Sequence, residues 1–272
     1  MKLLKILSIT LSVFFVSTFL ISCGTQENKL EKIKNEKTIV LGTSADYAPY
    51  EFPIIEKDGT EKIVGFDILI AEEIAKDLGV NLSIKNLDFS GLIDALNSNN
   101  VDLVLSGMNP TEERRQSIDF SDIYYVAENV LLIHKDKLDT IKNISDLDDL
   151  NVGVQLGSIQ DKLAREKLQN SNIKSLLKVP ELILELLSGK VDAIITETPV
   201  ASQYIKTNPE LVIVEIPEFK EDTDKGSAIG IKKGQTDLLN AVNKTLTRLK
   251  EENKITDFFN EALKLAENLN KN

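Results

Sequence analysis

Only four of the chain's 32 basic residues are arginines: Arg114, Arg115, Arg165 and Arg248. Two of them sit side by side at the end of the run LVLSGMNPTEERR, residues 103–115. The chemistry this spacing suits is capture of a small carboxylate. The apolar start reads as a buried strand. It ends at Ser106-Gly107, where backbone N–H and C=O groups are left open. Pro-Thr-Glu-Glu then reads as a turn opening a short helix, with acids in its first turn. Folded back toward the strand end, Arg114 offers a planar fork that grips a carboxylate in a way Lys cannot. The competing reading is that both arginines are solvated charges at a helix start.

A faint echo of this segment supplies the opposite charge. Leu96–Ser106 (LNSNNVDLVLS) recurs as Leu186–Thr196 (LLSGKVDAIIT), with a shared plan of helix end, Ser, tight turn, Val-Asp, apolar strand and hydroxyl residue. Two repeats are too few for a solenoid and fit two lobes of similar architecture. After Ser106 comes an arginine; after Thr196 comes an acid, Glu197. If the two strand tips face one another across a cleft, the pair matches the zwitterion of a free α-amino acid.

The intervening elements must position these tips. Thr38–Gly42 reads as a strand, and TSADYAPYEF (43–52) as a ligand-facing loop at its C-terminal end. Lys57–Thr60 reads as a hairpin turn. Ile68–Leu78 has helical spacing capped by Gly79. Val80–Leu87 is a strand, and Phe89 to Leu96 a helix. Strand and helix alternate onward through Val130–His134, Asn151–Gln155, a helix to about Leu168, and Leu211–Ile216. Two amphipathic helices follow, Leu238–Leu249 and Ile255–Leu265. This is the rhythm of parallel α/β sheets. The helix after Leu156-Gly157-Ser158-Ile159-Gln160 begins with a glycine and a hydroxyl, which suits an anion held on backbone N–H groups. GxxxxGKS and GxGxxG are both missing.

With 272 residues, 42% apolar and 28% charged, the chain is long enough for two medium domains. A formal charge of −11 argues against nucleic acid as a partner. The N-terminus pairs Lys2 and Lys5 with an apolar run from Ile6 to Ile21, the form of a secretory signal too short for a membrane span. The sole cysteine, Cys23, follows Leu20-Ile21-Ser22 and precedes Gly24. That arrangement resembles a bacterial lipobox, in which the cysteine is diacylated and becomes the first mature residue. Loss of 1–22 would take two lysines with it and bring the charge from −11 to −13. Residues 24–37 are polar and read as a tether. With one cysteine, no disulfide forms within the chain.

Taken together, the motifs TSADYAPYEF, VGFDI, SGMNPTEERRQSIDFSDIYY, VGVQLGSIQ and KVDAIITETPVA resemble the extracellular solute-binding family 3, the substrate-binding proteins of polar amino-acid ABC transporters. The resemblance spans Thr38 to Leu263. It implies a two-lobed periplasmic-binding-protein fold (type II), each lobe a mostly parallel sheet flanked by helices, joined by two hinge strands. The implied divisions are a signal peptide at 1–22, lipidated Cys23 and flexible tether at 23–37, lobe 1 at 38–126 plus 225–272, and lobe 2 at 127–224. Hinges are expected near Tyr125–Glu128 and Asp222–Gly226.

Carried over residue by residue, Arg114 holds the ligand α-carboxylate, helped by Gly107, Asn109, Ser158 and the Ile159 N–H. Glu197 stands where the family places the acid for the α-ammonium. Tyr47 and Phe89 flank the ligand side chain, and Ser44, Glu51, Gln160 and Thr196 stand near where specificity is set. Three departures are expected to matter. Ser44 replaces an Asp common in binders of basic amino acids, Ile159 replaces a frequent Thr, and Glu197 is a methylene longer than the usual Asp. Glu51 and the overall charge lean toward arginine or lysine; Ser44, Gln160 and Thr196 lean toward glutamine or another neutral ligand.

The resemblance implies no cofactor and no metal, a monomer, a lipid anchor in the cell membrane facing the periplasm or exterior, and an ABC permease as partner. Two other classes stay open: an amino-acid-sensing surface lipoprotein without transport, and a dehydratase-type enzyme of the same fold. Against an enzyme, the one histidine, His134, has no apparent nucleophile beside it. Against a sugar ligand, the chain has no Trp for ring stacking.

Overall fold

The computed structural model describes residues 28–220 and 226–269. The expected signal peptide, Cys23 and residues 222–225 of the second expected hinge lie outside the described residues. The described residues begin with α1 (Lys29–Glu36), which corrects the reading of 23–37 as a flexible tether for that stretch, residues 23–27 lying outside the described residues. Asn28 caps this helix through the Glu31 N–H, and Ile33 is buried in the main core with Leu30 packed against it. One apolar stripe three residues apart is enough to dock the helix, and its otherwise charged sequence concealed this.

The first lobe continues with β1 (Thr38–Thr43), a hairpin of β2 (Phe52–Ile55) and β3 (Glu61–Val64), α2 (Phe66–Leu78) and β4 (Asn81–Asn86). After a 3-10 turn at Phe89–Gly91 come α3 (Leu92–Asn97), β5 (Leu103–Val104), α4 (Glu112–Ser117) and β6 (Ile118–Phe120). The second lobe holds β7 (Asn129–His134), β8 (Asn151–Gln155), α5 (Ile159–Lys167), β9 (Asn172–Leu176), α6 (Val179–Leu187), β10 (Ala193–Glu197), α7 (Thr198–Thr207) and β11 (Leu211–Val214). The chain then returns to the first lobe through β12 (Gly230–Lys232), α8 (Thr236–Glu251) and α9 (Lys254–Leu269).

Each lobe is built on a five-stranded sheet, ordered β4-β1-β5-β12-β6 in one and β11-β7-β10-β8-β9 in the other. In each, three neighbouring strands run parallel and the next is antiparallel. The uninterrupted apolar runs of β5 and β10 are buried, as strands covered on both faces by helices must be.

The internal echo is a true structural repeat. Asn99 and Gly189 take the same left-handed conformation, φ 60° and 73°. Asp102 and Asp192 then make the same pair of bonds to the neighbouring strand. Each N–H donates to a carbonyl at 2.7 Å, of Val40 and of Asn151 respectively. Each carboxylate accepts an N–H at 2.8 Å, again from Val40 and Asn151. Each also pairs with a lysine, Lys29 and Lys137. The Val-Asp dipeptide is thus a splice that ties a central strand to its neighbour and aims its C-terminal tip.

Two crossing segments connect the lobes and run side by side. Tyr125 and Ser227 form an antiparallel bridge between them, with Ser227 N–H donating to Tyr125 O at 2.7 Å. Gly226 has φ +112°, and a Cβ there would meet Tyr125 O at 2.3 Å. An aromatic group packs beside this crossing: Phe66, Tyr124, Tyr125 and Phe259, with Tyr125 and Phe259 stacked at 4.4 Å.

Candidate functional site

Arg114 lies in α4, whose N-cap Thr111 accepts the Arg114 N–H. Its guanidinium donates through Nη1 to Asn109 O at 2.9 Å and through Nη2 to Gly157 O at 3.0 Å. The second of these crosses from one lobe to the other. The fork also lies 5.3 Å from the Phe89 ring centre, within cation–π distance. Burial lowers its pKa to about 10, so it remains a cation at neutral pH. Two carbonyls use two of its five N–H donors, and the rest are free for a carboxylate.

Glu197 stands at the tip of β10 and is buried. Tyr50 of the first lobe donates to its Oε2 at 2.6 Å, and Tyr47 stacks on Tyr50 at 5.5 Å. The Tyr47 hydroxyl lies 3.3 Å from Thr196 Oγ1. Burial raises the Glu197 pKa to about 7; the Tyr50 hydrogen bond opposes this and the Asp67 charge adds to it. Among the described residues no cation pairs with it, so an arriving ammonium would meet a carboxyl in want of one.

Glu197 lines a cavity of ≈ 10 Å³ at the seam between the lobes. It is lined by Tyr47, Phe89, Ser106, Gly107, Asn109, Gln155, Ser158, Ile159, Gln160 and Glu197. Ser158 and Ile159 also line the adjoining recess that contains Arg114 and Gly157. Arg114 and Glu197 therefore flank one wall of one interlobe crevice. That wall is the start of α5, where Ser158 caps the helix by accepting the Asp161 N–H at 3.1 Å. The first N–H groups of such a helix have no intrahelical acceptor and suit an anion. A volume of about one water molecule cannot take an amino acid, so entry requires the lobes to part.

Eight of the twelve expected site residues line this cavity, and Arg114 lines the adjoining recess that shares Ser158 and Ile159 with it. Ser44, Glu51 and Thr196 are buried behind the wall instead. Ser44 N–H donates to Ser106 Oγ at 3.0 Å, and Ser106 Oγ donates to Glu51 Oε1 at 2.8 Å. Gln160 does face the cavity, held by Asn129 Oδ1 at 2.8 Å.

Sequence reasoning missed Gln155, Asp46, Lys178 and Tyr50, and read Ser106 as the strand tip without giving its side chain a role. Gln155 Nε2 lies 3.3 Å from Asp46 Oδ1, and Lys178 Nζ lies 3.7 Å from Asp46 Oδ2 and 3.1 Å from Asp88 Oδ1. These contacts all cross between the lobes. Burial raises the Asp46 pKa to about 6 against the pull of Lys178. The signal for Tyr50 and Asp46 was present in TSADYAPYEF, but composition cannot tell which of its polar and aromatic residues turn inward. His134 sits well away, in a separate surface recess with Asp136, Lys137 and Asp192.

With this geometry in place, the chain can be compared with known proteins. Residues 39–264 match the bacterial extracellular solute-binding proteins, family 3, and the chain belongs to that family. It is 39% identical over 234 residues to the arginine-binding extracellular protein ArtP of Bacillus subtilis, spanning 85% of this chain and 88% of that one. The crystal structure of AbpA from Streptococcus pneumoniae, an amino acid ABC transporter substrate-binding protein bound to L-arginine, superposes with a TM-score of 0.83 at 38% identity. The match covers 87% of this chain and 98% of that one. A third match, TM-score 0.78 at 35% identity over 86% of this chain and 99% of the other, is AncCDT-1. That protein is an ancestral amino acid-binding protein described as a precursor of cyclohexadienyl dehydratase.

Proposed function

We propose that this protein captures a free polar amino acid outside the cytoplasmic membrane and hands it to an ABC permease. The observation that carries the reading is the placement of Arg114 and Glu197. A fixed cationic fork and a buried acid lacking a cation come from opposite lobes and flank one crevice. Arg114 takes the α-carboxylate with help from the first N–H groups of α5, and Glu197 takes the α-ammonium. Tyr47 and Phe89 border the ligand side chain, while Gly107, Asn109 and Gln160 contribute polar edges.

Lobe closure is the working step. The tight cavity, and the bonds that cross it, define the closed arrangement. Opening swings the lobes about the paired segments near Tyr125 and Ser227, and a ligand favours closure by the contacts it makes only there. Among amino acids, we favour a basic one. ArtP is named for arginine and AbpA was crystallised with it. The protein works as a monomer. We further propose that Cys23 carries the lipid anchor that keeps it at the membrane surface.

A thermal-shift screen of the twenty amino acids, followed by calorimetric titration, tests this reading. A large stabilisation by arginine or lysine supports it, because a ligand bound only by the folded form raises Tm. No stabilisation by any amino acid refutes it. Incubation with prephenate or arogenate, followed by product analysis, tests the enzymatic alternative raised by the dehydratase precursor.

A further inference from the structure

Behind the cleft lies a pair of carboxyl groups that capture of the ligand does not use. Glu51 and Asp67 are both fully buried, and neither lines the cavity. They come from the two motifs left unexplained by the site, the end of TSADYAPYEF and VGFDI. Their position is set by Gly65, which takes φ +136° and whose Cβ would fall 2.2 Å from Tyr50 O. That close approach lets the Asp67 N–H donate to Tyr50 O at 3.0 Å and brings the start of α2 against Glu51.

The donors divide unequally between them. Asp67 accepts the Gly107 N–H at 2.8 Å and the Tyr124 hydroxyl at 2.9 Å. It also lies in the first turn of α2, where the helix dipole favours an anion. Glu51 accepts the Ser106 hydroxyl on Oε1, and among the described residues its Oε2 has no hydrogen-bond partner. The two carboxyls adjoin: their anchors, the Ser106 hydroxyl and the Gly107 N–H, come from consecutive residues of the strand tip. Two carboxylates cannot share a dry contact, whereas one acid and one anion can.

We propose that Glu51 and Asp67 act as positioning residues for ligand binding, sharing a single proton that sits on Glu51 and is donated to the Asp67 carboxylate. The pair then holds the strand tip from below. Glu51 fixes the Ser106 side chain and, through it, the Ser44 N–H. Asp67 fixes the Gly107 N–H. Ser106 and Gly107 form part of the cavity wall, so the pair sets ligand affinity without touching the ligand. Its role as a support for that site rests on the function proposed above.

The charged and titratable groups around it agree with one retained proton. Asp46 and Glu197 are the nearby acids, and Tyr47, Tyr50 and Tyr124 are the nearby phenols. Among the described residues no cation forms an ion pair with either carboxyl. Burial, then the neighbouring Asp67 charge, holds the Glu51 pKa well above its usual range; burial raises Asp67 to about 7. Groups with raised folded pKa values stabilise the fold at low pH and lose that contribution as pH rises through those values. Asp46 and Glu197 add slopes of the same sign.

The test compares wild type with Glu51→Gln, Glu51→Leu and Asp67→Asn. Calorimetric titration uses L-arginine, and Tm is measured from pH 5 to pH 9. Gln reproduces the protonated glutamate, with one oxygen for Ser106 and an N–H for Asp67. Glu51→Gln should therefore bind within about twofold of wild type at pH 6 and keep its Tm better above pH 7. Glu51→Leu should lose tenfold or more in affinity, and Asp67→Asn should weaken binding at every pH, because one amide orientation opposes the Gly107 N–H. The proposal is overturned if Glu51→Gln binds as poorly as Glu51→Leu at pH 6, or if its Tm falls with pH as steeply as wild type. Should wild type bind no L-arginine, the ligand reading fails, while the Tm slopes still decide the shared proton.

Discussion

Arg114→Ala tests the capture geometry from its cationic end. The wild-type guanidinium is already aimed by Asn109 O, Gly157 O and the Phe89 ring, so little ordering remains when a carboxylate arrives. Removing one partner of a close, desolvated charge pair costs about 2–5 kcal/mol of binding. At about 1.4 kcal/mol per tenfold, that is roughly a 30- to 3000-fold rise in Kd. The fold itself should lose far less. Two hydrogen bonds to carbonyls that water can reach, and one cation–π contact, sum to about 1–2 kcal/mol. For a chain of this size that lowers Tm by roughly 2–8 °C. Titration calorimetry with the amino acid that most stabilises wild type measures the first figure, and thermal unfolding without ligand measures the second. A Kd within about threefold of wild type, in a variant that still unfolds cooperatively, would refute the carboxylate assignment.

Three further outcomes are expected, two from the geometry and one from the sequence around Cys23. Glu197 titrates near pH 7 when buried beside Tyr50, and only its ionised form attracts an ammonium. Amino-acid affinity in wild type should therefore rise between about pH 6 and pH 8, and Glu197→Gln should bind more weakly with that rise absent. Gly65→Ala forces a Cβ onto Tyr50 O at a positive φ; calorimetry should find the fold destabilised by about 1–3 kcal/mol, a Tm loss of roughly 3–10 °C. Cys23→Ala should move the protein from the membrane fraction to the soluble extracellular fraction, and continued membrane retention would remove the anchor from the account.

Much of the architecture was legible because strands and amphipathic helices write their period into the sequence. β1, β7, β8, α2, α5, α8 and α9 fall within a few residues of their expected places. The Val-Asp echo also announced two matched strand tips before their common geometry was visible. The elements missed were those stabilised from outside themselves. β9 reads NIKSL, with only two apolar residues, and it is a strand because β8 pairs with it along its whole length. α1 looked like a tether because a single buried Ile33 anchors eight mostly charged residues.

The site shows the same division. Arg114 stood out as a rare arginine shortly after one strand tip, and Glu197 as an acid at the matching tip. Glu51 also looked like a ligand group, since an acid in a polar loop suggests a cation partner. Its real partners are Ser106 and Asp67, which come 55 residues after it and from the start of α2. No local pattern records such long-range pairing. Asp46, Gln155 and Lys178 were missed for that reason too: each is ordinary in its own segment and meets the others only across the seam.

The most direct measurement is a crystal structure of the protein grown with L-arginine. It should show the ligand between the lobes, its α-carboxylate on the Arg114 guanidinium and its α-ammonium within hydrogen-bond distance of Glu197. A ligand bound elsewhere, or seated with its two charged ends exchanged, would contradict the account.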